Sequence, residues 1–108
     1  MRMWMVNPKK MCRKHLLGEH VELHMLVGSI KKKQSLQGFI KNKLIDTSKI
    51  QTRHDALVKE MERRGYNHKS PLTYDDKLNL GKVNSKESYK ELLRRCPDCR
   101  KIVETDQR

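Results

Sequence analysis

Three groups of residues have types and spacings that could do chemistry. In the run CRKHLLGEHVELH, from Cys12 to His24, a helical repeat of about 100° per residue would place His15, Glu19 and Glu22 within about 60° of one another. Two carboxylates and an imidazole on one ridge can accept and donate protons; the same ridge also fits an ordinary solvated face with an i, i+4 pair between His15 and Glu19. The second group is the α-amine of Met1. An α-amine titrates near about 7.7–8.0, against about 10.4 for a lysine, so it is the amine with a large neutral fraction at physiological pH. A neutral amine can attack the anomeric carbon of a deoxyribose and form a Schiff base, whereas a terminus with no such task is usually frayed. The third group is Cys12 with His15 and Cys96 with Cys99, two pairs at the same spacing that together count as four zinc ligands. A single Cys-x-x-Cys is a weak signal, both pairs lie where helical patterns explain the sequence, and a metal would consume His15. The expectation is reduced thiols, no metal and no cofactor.

The elements that must position these groups come from a chain of 108 residues, enough for one domain with a modest core. Hydrophobic residues make up 35% and charged residues another 35%, so the apolar positions must gather on one face of each element. The net charge of +12, from 25 Lys+Arg against 13 Asp+Glu, attracts polyanions and makes nucleic acid the leading partner. No apolar run approaches the length of a membrane span, and no secretory leader precedes the basic chain, which reads as soluble, monomeric and cytoplasmic, in a microbial or phage-infected cell.

An all-α domain of about three helices is expected. From Pro8 to about Lys33, Cys12, Leu16, Leu23, Val27 and Ile30 form one apolar stripe, with Asn7 as cap, Gly28 weakening the last turns, and Lys31 to Lys33 suiting a C-terminus. A second helix is signalled by Thr47 or Ser48, with Ser48 and Gln51 spaced as a capping box, and by Ile50, His54, Leu57, Val58 and Met61; Gly65 ends it. A third begins at Asn84 or Ser85, buries Tyr89, Leu92 and Leu93, and stops before Pro97. Residues 34–46 and 66–83 read as ordered loops.

Arg2 and Trp4 at the start, then CRKHLLGEHVEL, then RHDALVKEMERRGYNHKSPL from Arg53 to Leu72, resemble the pyrimidine-dimer DNA glycosylase family, the phage UV-repair endonucleases. The resemblance covers residues 1–72 and is weakest from Gln34 to Ile50; the tail, residues 96–108, lies outside it. The family pattern has a nucleophilic amine, an arginine one place on, a histidine at the fourteenth place after the nucleophile and a glutamate at the twenty-first. Here these offsets fall on Met1, Arg2, His15 and Glu22. The correspondence requires Met1 to be kept, which is expected because its removal normally needs a small second residue and Arg2 is large.

The resemblance implies a bifunctional glycosylase and abasic-site lyase acting on double-stranded DNA that carries pyrimidine dimers or abasic sites. Met1 and Glu22 would be catalytic, and Arg2, Arg13, Lys14, His15, Arg63, Arg64, Asn67, His68 and Lys69 would contact DNA. Two arginines that surround the glutamate in the family's founding enzyme correspond here to Val21 and Met25. Gly65 and Tyr66 read as a helix cap and its packing partner, and Trp4 as a core anchor for the terminus. The competing reading is a basic, non-catalytic nucleic-acid-binding module with a zinc site.

Overall fold

The computed structural model describes residues 1–106, and all regular structure among them is helical. Five α-helices occur: α1 (Arg13–Lys31), α2 (Gln37–Lys41), α3 (Ile50–Arg63), α4 (Ser85–Arg95) and α5 (Pro97–Asp106), with 3-10 turns at Pro8–Lys10 and Thr47–Lys49. The three expected helices correspond to α1, α3 and α4; α2 and α5 are additional. Residues 107 and 108 of the tail lie outside the described residues.

The first expected helix is broken in two. Asn7 caps only the 3-10 turn, accepting from the Lys9 N–H at 3.1 Å, and the chain extends through Met11 before Cys12 starts α1. The apolar stripe is as anticipated, with Leu16, Leu23 and Val27 buried together with Leu26. Gly28 does not end the helix. Lys33 does, by taking a left-handed conformation (φ 56°) in which its N–H reaches Ile30 O and the Gln34 N–H reaches Ser29 O, both at 3.0 Å. α2 closes in the same way around Lys43 (φ 57°) and α3 around Gly65 (φ 82°), whose neighbour Tyr66 donates to Met61 O at 2.9 Å. Glycine normally fills that position because a Cβ is strained there; Gly65 marked the third stop, the basic run to Lys33 marked the first by its charge, and Lys43 gave no such sign.

The capping box expected at Ser48 and Gln51 is replaced by two aspartates. Asp46 accepts from the Ser48 N–H at 3.1 Å, while the Gln51 N–H donates to Asp76 at 2.8 Å, across a gap of 25 residues. This brings the long loop between α3 and α4 back across the start of α3. Thr47, fully buried, fixes the loop further: its hydroxyl donates to Leu78 O at 2.9 Å and accepts from the Leu80 N–H at 2.7 Å. At Gly81 (φ 78°) the loop runs so close to the backbone that a Cβ would stand 2.5 Å from Ile45 O.

α1 packs on α3, and the core of Leu16, Leu23, Ile50, Leu57 and Leu92 fills the space between them and α4. Beside it lies a buried charge pair. Arg53 grips both oxygens of Glu19 at 2.5 and 2.9 Å and donates also to Val6 O at 2.7 Å, joining α3, α1 and the N-terminal segment. Glu19 is 1% exposed, so the ridge it shares with His15 and Glu22 is turned into the protein at this position. Removing one partner strands a charge away from water: Arg53→Met is expected to cost about 3–5 kcal/mol, and the double change Glu19→Met with Arg53→Met markedly less. Urea denaturation of the two single variants and the double variant checks this; equal losses in all three would contradict it.

Candidate active site

The N-terminal segment is held in place by ordinary physical contacts. The Met3 N–H donates to Leu44 O at 2.7 Å, and Met3, buried, receives the Asp46 N–H on its sulfur at 3.4 Å. Trp4 is buried as expected and meets the His15 ring edge-to-face, with centroids 5.6 Å apart. The Arg2 guanidinium lies over the indole at 3.8 Å, a cation–π contact that fixes its direction. With residues 2, 3 and 4 fixed, the charge of the Met1 α-ammonium acts on Glu22 of α1.

Glu22 is half-buried. Burial pushes its carboxyl above the ordinary carboxylate range. The Met1 α-ammonium, the Arg2 backbone N–H and the Arg2 guanidinium pull it down, while Glu19 adds to the rise. The Glu22 carboxyl therefore feels the charge of the α-amine, and its partial burial makes that interaction stronger than in bulk solvent. Arg2 is also partly desolvated, which lowers its pKa, and Arg95 lowers it further while Glu91 and Glu22 oppose this. The last turn of α4 thus joins the site. Nothing in the sequence pointed to Glu91 or Arg95, because their proximity depends on how α4 docks.

Val21 and Met25 flank Glu22 on the outer face of α1, each 55% exposed. The remaining expected DNA contacts are divided. Arg13 and Lys14 are exposed at the start of α1, Arg13 over Tyr66 at 5.2 Å, and Asn67 and Lys69 are exposed in the loop after α3. Arg64 instead faces inward, donating to Pro8 O at 3.0 Å, Met11 O at 2.7 Å and Glu60 at 2.6 Å. It ties the end of α3 to the N-terminal segment, a structural duty that leaves little of it for phosphate. Arg63 is more exposed and pairs with the same glutamate at 2.6 Å. His15 faces the thiols: its Nδ1 lies 3.2 Å from Cys12 Sγ and 3.9 Å from Cys99 Sγ.

His68 belongs to a cluster that spacing alone did not reveal. Its Nε2 donates to Ser70 O at 2.8 Å and lies 3.0 Å from Nε2 of His20, and the rings of His24 and His54 stand 4.9 and 4.8 Å from that of His20. The i, i+4 spacing of His20 and His24 was the signal available. Burial, and then the neighbouring His54, His24 and His68, hold the His20 pKa down at about 4, against an ordinary 6.5. Between those values the unfolded chain binds more protons than the folded one, so stability is lost as pH falls from about 6.5 toward about 4. The urea midpoint should drop from pH 7 to pH 5, and the drop should shrink in His20→Asn; an equal drop in both would rule out His20 as its source.

Two sets of side chains have ligand atoms within 4.8 Å of one another: Cys12, His15, Cys96 and Cys99, and the imidazoles of His20, His54 and His68. The first set is the four possible ligands that the two equally spaced pairs of the sequence add up to.

Against known proteins, the family described as pyrimidine dimer DNA glycosylase matches residues 1–74. No curated protein and no solved structure matches the chain.

Proposed function

Because the chain belongs to the pyrimidine dimer DNA glycosylase family, we propose that it excises dimers through a Schiff base on the Met1 α-amine and then cleaves the strand as an abasic-site lyase. The observation that supports this reading is the pull of the Met1 α-ammonium on the half-buried Glu22 carboxyl, in an N-terminal segment anchored through Met3 and Leu44.

The amine nitrogen attacks C1′ of the 5′ nucleotide of the dimer. The glycosidic C–N bond breaks, the base leaves with the bonding pair and takes a proton, and the sugar ring opens to a protonated imine. Glu22, ionised, stabilises the cationic sugar and then the imine. Removal of a C2′ proton, which the same carboxylate is placed to assist, expels the 3′ phosphate by β-elimination. Water hydrolyses the imine and regenerates the amine.

Reaching C1′ requires a kinked duplex and an expelled nucleotide, which a dimer makes cheaper through its weakened stacking. Arg2, fixed on Trp4, is placed to hold a flanking phosphate near the amine. Arg13 and Lys14 at the start of α1, with Asn67, Lys69 and the exposed part of Arg63, supply further contacts to the strand. Val21 and Met25, which helical spacing sets on one side of Glu22, offer the lesion an apolar surface.

Borohydride trapping of the untagged chain on duplex DNA carrying a thymine dimer or an abasic site, followed by mapping of the adduct, tests the mechanism. An adduct at Met1 on both substrates is the expected result. An adduct on abasic DNA alone would keep the lyase and remove the dimer, and none on either would favour a DNA-binding module without catalysis.

A further inference from the structure

We propose that Cys12, His15, Cys96 and Cys99 form a structural zinc site that fastens the end of the chain to the start of α1. Three observations converge on it. The first is distance. With Zn–S near about 2.3 Å and Zn–N near about 2.0–2.1 Å, a tetrahedral ion sets S···S at roughly 3.8 Å and S···N at roughly 3.6 Å. Cys12 Sγ and Cys96 Sγ lie 3.7 Å apart, and the two sulfur-to-Nδ1 distances, 3.2 and 3.9 Å, bracket the value for the mixed pair. A sulfur separation of 3.7 Å is far beyond a disulfide bond, and all three cysteines are free.

The second is local architecture, which is the same on both sides. Cys12 caps α1 and His15 stands in its first turn; Cys96 precedes α5 and Cys99 stands in its first turn. Two helix N-termini therefore meet at the ligand atoms. The Cys12 N–H points at Cys99 Sγ (3.2 Å) and the Cys99 N–H at Cys96 Sγ (3.4 Å), the kind of backbone support that orients thiolate ligands around a metal.

The third is burial with charge balance. All three cysteines are shielded from water, with Cys99 fully buried, so three thiolates and a divalent ion would leave one negative charge in a shielded place. Arg13, Lys14, Arg64 and Lys101 line the groove beside Cys12 together with Asp98, and leave it net positive enough to offset that charge.

With four protein ligands the ion has no open position for water or substrate, so its role is to hold structure. His15 becomes a ligand and is withdrawn from the expected DNA contacts, and its ring becomes the rigid wall against which Trp4 packs. The inference stands apart from the catalytic reading, since it uses none of Met1, Arg2 or Glu22.

The full chain, expressed in zinc-supplemented medium, should carry about one zinc by elemental mass spectrometry, released when a mercurial blocks the thiols. Cobalt in place of zinc should give thiolate charge-transfer bands and the strong visible absorption of a tetrahedral ion. His15→Cys, which keeps four ligands, should retain the metal and intensify the charge-transfer bands; an unchanged cobalt spectrum in that variant would remove His15 from the site. A metal-free chain with three freely reacting thiols would overturn the proposal, as would zinc that persists when Cys96 and Cys99 are both serine, because the ion would then lie elsewhere.

Discussion

Glu22→Gln is expected to slow strand cleavage at a dimer by about 10²–10⁴-fold while leaving the fold and the affinity for dimer DNA in place. Glutamine has the same shape, and its carbonyl oxygen can still accept the Arg2 backbone N–H, so the segment should keep its path. What disappears is the negative charge that interacts with the α-ammonium, on a half-buried side chain. Single-turnover cleavage on dimer duplex, paired with denaturation and binding measurements on the same variant, separates these effects. The pH profile carries a second signature. Because burial raises the Glu22 carboxyl above its ordinary 4.5, the acid limb of the wild-type rate should lie at higher pH than for an exposed glutamate, and the variant should lack it. Equal cleavage by wild type and variant would remove Glu22 from the mechanism.

The second large effect concerns the amine. Extending the chain by Gly-Ser ahead of Met1 turns the nucleophile into an amide, whose nitrogen lone pair is delocalised into the carbonyl. Cleavage and borohydride trapping should both fall to background. Affinity for dimer DNA should change only a few-fold, because the contacts of Met3 with Leu44 and of Trp4 with His15 lie inside the original terminus. Proteolytic removal of the extension should restore activity. A fully active extended chain would mean that a lysine, or no covalent intermediate at all, does the work.

Much of this arrangement could be read from residue order, for identifiable reasons. Helical periodicity and an apolar stripe place α1, α3 and α4, and Gly65 and Asn84 mark two boundaries through side-chain and backbone preferences that act locally. The regular α1 that carries Glu22 and the burial of Trp4 in the segment before it were both legible in the sequence. What could not be read depends on contacts between distant residues. Asp76 caps α3 from a loop, and α5 continues after the proline that was correctly taken to stop α4. Glu19 belongs by spacing to the same ridge as Glu22, yet it is turned inward by Arg53, a residue 34 positions later. His15 is the sharpest case, since only the docking of α5 decides that its ring meets two thiols.

The Glu19–Arg53 pair also bears on how the sequence can change over generations. Each intermediate on a one-step path away from it carries a stranded charge in the core, and a loss of about 3–5 kcal/mol is a large part of a small domain's total stability. Mutation at either position alone therefore leads into a valley of poorly folded chains, and the way out is a paired change, or a first change made tolerable by stability gained elsewhere. Descendants of such a chain should keep both residues or lose both, and the two positions should be inherited as a single character.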